Sequence, residues 1–344
     1  MCIWRVSDMK RCTVIFCKLC LSTILLGFIL VNCGQSPHHG PVSHTYQVGV
    51  APWGIAIDSA GNVWVANGTN NVTELSSFGA TIKAYNVGTG PRGIAVDSAG
   101  NVWVSNYADG TVSEINFSAC PPYTPYSCTL ATYTYSVGSY PSGIAIDSSD
   151  NVWVSNFTTV TEISSSGITI GTYPDNINGG FGSGIAIDAS GNVWVANGNI
   201  TELSPTGTTL NTYQIEANAV AIDTSGNVWV VNGNYYNHIV SQLNLNKGVI
   251  KTIGVYSVGS NPQSIAIDAS GNVWVTNRGD DTVTELSPVG KTINTYSVGV
   301  KPQGIAIDTV GNVWVANEGD MTVTEFPGIT KGPQFFPYAG PQWP

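Results

Sequence analysis

The strongest constraint on this chain is a phrase that it writes seven times. The last copy reads Gly304-Ile305-Ala306-Ile307-Asp308-Thr309-Val310-Gly311-Asn312-Val313-Trp314-Val315-Ala316-Asn317. One aspartate marks each copy: Asp58, Asp97, Asp147, Asp188, Asp223, Asp268 and Asp308. One tryptophan follows each: Trp64, Trp103, Trp153, Trp194, Trp229, Trp274 and Trp314. Successive aspartates stand 35 to 50 residues apart. A unit of about forty residues holding several strand-like runs is the signature of a propeller blade. In the first unit the runs go from Gly54 to Asp58, Val63 to Asn67, Val72 to Leu75 and Thr81 to Gly88. β-branched and aromatic residues fill them, and no helical period appears. The runs are apolar on both sides, as strands covered on both faces must be. We therefore expect an all-β, seven-bladed propeller of four-stranded blades with the tryptophans in its core.

The two ends of the repeat array fit together. Thr45-Tyr46-Gln47-Val48-Gly49 repeats the fourth-run wording of later units, such as Thr295-Tyr296-Ser297-Val298-Gly299. The seventh unit stops after three runs, at Glu325-Phe326, and continues into Pro327-Gly328. The N-terminal run is thus expected to complete the last blade and close the ring.

The Pro-x-Gly-Ile-Ala-x-Asp-x-x-Gly-Asn-Val-Trp-Val phrases, at Pro91 to Val104 and Pro302 to Val315, carry a family resemblance. They resemble the NHL-type propeller repeat and, more closely, the blades of the streptogramin-lyase (virginiamycin B lyase) family. The resemblance covers about residues 45–326. It implies a histidine general base with a glutamate and Mg²⁺ at the central face. His238 is the one histidine within the blades that this role could fall to. Where the family's blades read Trp-Phe-Thr-Glu, this chain reads Trp-Val-Ala-Asn, as at Trp314 to Asn317, which replaces a carboxylate by an amide.

Residues 1–32 resemble an export signal: Arg5, Lys10 and Arg11 precede an apolar run from Leu19 to Val31, short for a membrane span of about 20 residues. Leu30-Val31-Asn32-Cys33 resembles a lipoprotein processing site, which makes Cys33 a lipidation candidate; plain secretion or a retained anchor are the other outcomes. Residues 33–44 form a linker and 327–344 a Pro- and aromatic-rich tail. An exported chain favours a local disulfide between Cys120 and Cys128. The formal net charge of −10 argues against nucleic acid as a partner and suits an extracytoplasmic protein.

Residues common to all copies have structural roles to fill. The seven aspartates precede tight turns and can accept backbone N–H bonds there. Glu74, Glu114, Glu162, Glu202, Glu285 and Glu325 recur in the third run, with Gln242 in the remaining unit. A ligand site must break this symmetry. The position before each Gly-Ile-Ala varies and offers Trp53, Arg92, Gln263 and Gln303, and the loops after the second run offer Tyr107, Tyr235, Tyr236 and Arg278. All are expected on one face. Aromatic and Arg residues are common interface anchors, so we expect a glycan, peptide or protein ligand there, a monomeric scaffold and no catalytic residue or cofactor. The other reading is a lyase acting on a cyclic ester, with His238 and Mg²⁺.

Overall fold

The computed structural model describes residues 13–14, 31–32, 42–117, 131–174, 184–232, 237–246 and 249–328. The chain divides into two compact units, residues 1–42 and 43–344. In the first, Thr13–Val14 pairs antiparallel with Val31–Asn32. No helix of the described residues is long and apolar enough to cross a membrane. The rest of the expected leader, Cys33, the Cys120–Cys128 pair and the tail beyond residue 328 lie outside the described residues.

The second unit is a ring of seven four-stranded antiparallel sheets, a seven-bladed β-propeller. Blade 1 shows the pattern, with strands Pro52–Ile57, Val63–Asn67, Asn71–Leu75 and Thr81–Asn86. First strands stand side by side around the inner circle, and that of blade 7, Pro302–Ile307, meets that of blade 1. Glycine makes this approach possible. A Cβ on Gly54 would lie 2.1 Å from the Arg92 carbonyl oxygen, and one on Gly304 2.3 Å from that of Trp53. The fourth strand ends at Asn86 rather than running on to Gly88, because the Val87 amide leaves the ladder to bond the Asn70 carbonyl.

Between neighbouring sheets lies the core, and each blade is tied together by one repeated set of contacts. Every one of the seven tryptophans is buried. A buried indole N–H needs an acceptor. The aspartate that ends strand one provides it: Trp64 Nε1 donates to Asp58 Oδ2 at 3.1 Å, and the other six blades repeat the bond. The other oxygen, Asp58 Oδ1, accepts the amides of Ala60 and Asn62 and so closes the turn. Each indole also packs against a fourth-strand tyrosine, as Trp274 does on Tyr296 at 5.4 Å. That tyrosine donates its O–H to the third-strand glutamate, Tyr296 to Glu285 at 2.7 Å, or to Gln242 in blade 5. The recurrent Asp and Glu are thus structural. The asparagines that end strand two are structural as well: Asn67 Nδ2 donates to Asn71 Oδ1 and Thr73 Oγ1 on strand three.

Blade 7 takes its fourth strand from the other end of the chain. His44–Gln47 pairs with Thr322–Phe326, from His44 opposite Glu325 to Gln47 opposite Thr322. Tyr46 stacks on Trp314 at 5.8 Å and donates to Glu325 at 2.7 Å, which completes in trans the contacts that other blades make locally. The strand begins one residue before the expected Thr45.

Two outcomes follow. Deletion of 45–49 should lower the melting temperature steeply, whereas Tyr46→Phe, which strips Glu325 of a donor, should cost about 1–3 kcal/mol; chemical denaturation of both variants measures the difference. The second concerns alkali. Burial, together with the bond to its glutamate, pushes the Tyr46 and Tyr173 hydroxyls up to about 12 from 10.0. The folded state therefore keeps protons that the unfolded state releases. This stability is complete below pH 10 and should fall as pH rises towards 12, which melting curves across that range would register.

Candidate functional site

The symmetric scaffold is broken at the start of strand one. In blades 1, 2, 6 and 7 the pairing with strand two skips from Pro52 to Ile55, Pro91 to Ile94, Pro262 to Ile265 and Pro302 to Ile305. The first side chains inside those skips are Trp53, Arg92, Gln263 and Gln303. A bulge bends its strand and re-aims the side chain it carries. At the inner circle, then, these four residues are set apart from the ladder.

Arg92 joins blades 1 and 2. Its guanidinium carbon lies 3.4 Å from the ring centre of Tyr107 and 4.4 Å from that of Trp53. Burial pushes its pKa down, against the opposing pull of Tyr107 and Glu318. A guanidinium lying over two aromatic rings and partly out of water is a cation–π contact of the stronger kind.

A second cluster joins blades 6 and 7. Glu318 Oε2 accepts Arg278 Nη2 at 2.9 Å and Gln303 Nε2 at 2.7 Å. Burial alone would raise this carboxyl, but the bonds from Gln303 and Arg278, with the Arg278 charge, hold it below its ordinary value. Gln303 is only 4% exposed. Gln263 donates to Asn261 Oδ1 at 2.8 Å. The two glutamines and Arg278 are therefore engaged within the loop face, whereas Trp53, Arg92 and Tyr107 form a stack at the mouth. Arg278-Gly279-Asp280 is a bonded turn: Gly279 N donates to Ser260 O, and Asp280 Oδ2 accepts Ser260 N.

His238 stands elsewhere. It precedes the third strand of blade 5, Ile239–Asn246, and its carbonyl accepts the Val258 amide at 2.9 Å. Asn70, Gly110, Asp281 and Met321 make the same bond in other blades. This place is two strands out from the inner circle. The Ser260 amide holds the Asp280 carboxyl low, and His238 adds a smaller pull in the same direction. Tyr235 and Tyr236 lie outside the described residues.

Magnesium, which the family resemblance implies, does not fit what the described residues offer. Among them no group of three or more His, Cys, Asp or Glu side chains is gathered as a ligand set. The carboxylate at the mouth, Glu318, is already held by Arg278 and Gln303, and Arg92 adds like charge to any cation placed there.

A seven-bladed ring with this repeat, marked by Trp-Asp pairs in every blade, matches one family over residues 42–324. The chain belongs to the virginiamycin B lyase family. Among solved structures, selenomethionine-substituted virginiamycin B lyase from Staphylococcus aureus is 17% identical, with a TM-score of 0.70 over 83% of this chain and 98% of that one. A catalytically inactive histidine-to-alanine variant of the S. aureus enzyme, with quinupristin, gives 17% and 0.68 over 83% and 99%. The WD40 propeller domain of Doa1 gives 12% and 0.68 over 83% and 96%. At these identities the likeness concerns the fold. No curated protein matches the chain.

Sequence comparison of the copies passed over Tyr140. It was open to detection by aligning copies. Tyr140 stands where blade 2 has Gly90 and blade 6 has Asn261.

Glu318→Gln tests the second cluster. The pair is partly exposed, so the loss should stay under about 1 kcal/mol. Because Glu318 is held below its ordinary 4.5, the increment is present above that pH and disappears as pH falls through the depressed value. Denaturant midpoints of both proteins should differ at pH 7 and converge as pH falls through the depressed value.

Proposed function

We propose that this chain is an exported, monomeric binding propeller whose ligand docks on the loop face, over the Trp53–Arg92–Tyr107 stack. The observation that carries the reading is that stack. It is built from bulged strand starts on an otherwise regular scaffold, and it puts an arginine and two large rings at the mouth. Such residues dominate binding energy at interfaces. The ligand is a glycan, peptide or protein, and the acidic composition disfavours nucleic acid. Export rests on the leader-like sequence of residues 1–32, with Cys33 as the lipid attachment residue in the anchored form.

Family membership favours a second reading, a Mg²⁺-dependent lyase that opens a cyclic ester with His238 as general base. A general base has to reach the proton it removes. The position of His238, two strands away from the mouth, supports the binding reading over this one.

The purified chain should be screened by thermal shift against glycans, peptides, virginiamycin B and quinupristin, with and without Mg²⁺. We expect a stabilising ligand that needs no metal, with affinity at least about tenfold weaker (about 1.4 kcal/mol) in Arg92→Ala. A ring-opened product by mass spectrometry, formed only with Mg²⁺ and lost in His238→Ala, would replace the binding reading with the lyase one.

A further inference from the structure

We infer that the loop face of blades 2 and 3 carries an aromatic ledge that binds a neutral glycan. The inference rests on the binding reading and names the ligand class for that face. The ledge is Tyr107, Tyr140 and Phe157. Ring centres of Tyr107 and Tyr140 lie 5.1 Å apart, and those of Tyr140 and Phe157 6.0 Å apart. Tyr140 is 51% exposed and Phe157 39%, so neither ring is part of the core.

The backbone at Tyr140 shows that the turn does not call for a tyrosine. Its φ is 55°, in the left-handed region. The same place is filled by Ala51 (φ 51°) in blade 1, Gly90 (φ 66°) in blade 2, Asn261 (φ 51°) in blade 6 and Lys301 (φ 54°) in blade 7. Glycine and asparagine enter that region readily, whereas a bulky side chain raises its energy. Residues as different as Ala51 and Lys301 serve there, so the turn does not require the Tyr140 ring, which stays half exposed beside Tyr107 and Phe157.

Around Tyr140 the ledge is fixed in advance of any ligand. The Phe157 amide donates to Ser139 O at 2.9 Å, and the Phe157 carbonyl accepts Asn197 Nδ2 at 3.0 Å. The Tyr107 amide donates to Gly90 O at 3.0 Å. Rings mounted on bonded loops lose little entropy when a ligand arrives.

Chemistry beside the rings selects the ligand. A surface hollow of ≈ 510 Å³ runs between Tyr107 and Tyr140, and Asp109, Ser136 and Ser139 line it. Ring faces match the C–H face of a pyranose, and the hydroxyls and carboxylate at their edge can bond its O–H groups. Asp109 repels an acidic ligand. The neighbouring loop amides of Tyr107, Phe157 and Val137 are already bonded, so an extended peptide would find few backbone partners.

The test is calorimetric titration of the full chain with cellohexaose, xylohexaose, mannohexaose and chitohexaose. At least one should bind, and Tyr140→Gly should weaken it tenfold or more while the melting temperature holds or rises, since glycine relieves the left-handed position. Phe157→Ser should weaken the same sugar, and Ser139→Ala, which keeps the rings, should have a smaller effect. Binding of none of the four, or affinity unchanged in Tyr140→Gly, would overturn the inference. So would quinupristin binding at the ledge, lost in Tyr140→Gly, with no sugar bound. If a ligand depends on Arg92 but not on Tyr140, the binding reading stands and the ledge falls.

Discussion

One aspartate per blade ties this fold together. Its Oδ1 takes the turn amides and its Oδ2 takes the indole N–H of the buried tryptophan. A tight turn and a core ring are therefore fixed by the same carboxylate. The ring then sets the next requirement, because a tyrosine on the fourth strand packs against it and must find an acceptor for its own hydroxyl. The third-strand glutamate meets that need. A blade without a fourth strand would leave one face of its tryptophan and one buried carboxylate without cover. Blade 7 is in that position until His44–Gln47 arrives with Tyr46. Ring closure is thus required by the same side chains that build every other blade.

This dependence explains how much the sequence disclosed. Blade number, strand order and the N-terminal clasp were legible because they leave periodic text: an aspartate and a tryptophan per unit, and a Thr-Tyr-x-Val-Gly run shared by the N-terminal strand and the fourth runs of two units. The tyrosine–glutamate bonds were not, although both residues recur. Their separation is 11 residues in blades 1, 3, 4 and 6 but 21 in blade 2 and 279 in blade 7, so the spacing breaks where an insertion or the ring closure intervenes. The strand-one bulge was hidden for a different reason. Pro-x-Gly is plain in the text, but a skipped rung of the ladder is a property of two strands together.

The candidate site was legible in part. Trp53, Arg92 and Tyr107 stand out as places where the copies differ, and the structure brings them into one stack. What the text could not show is which neighbours each would meet. Trp53 belongs to blade 1 and Arg92 to blade 2, and only the close approach of first strands, which Gly54 permits, puts ring and guanidinium together. Gln303 and Arg278 read as equally open to a ligand, yet Glu318 engages both.

Those two arrangements of arginine divide the loop face into unlike halves. On blades 6 and 7, Arg278 meets a carboxylate edge-on, and the donors that would recognise a ligand are turned to Glu318. On blades 1 and 2, Arg92 lies over the rings of Trp53 and Tyr107 and is also hydrogen-bonded to the Tyr107 side chain. Tyr107 then hands the stack on to Tyr140 and Phe157, away from the ion pair. A ligand that lies along blades 1 to 3 would meet rings first and an arginine at the mouth. Placed on blades 6 and 7, the same ligand would have to break a charged, hydrogen-bonded cluster before gaining any contact.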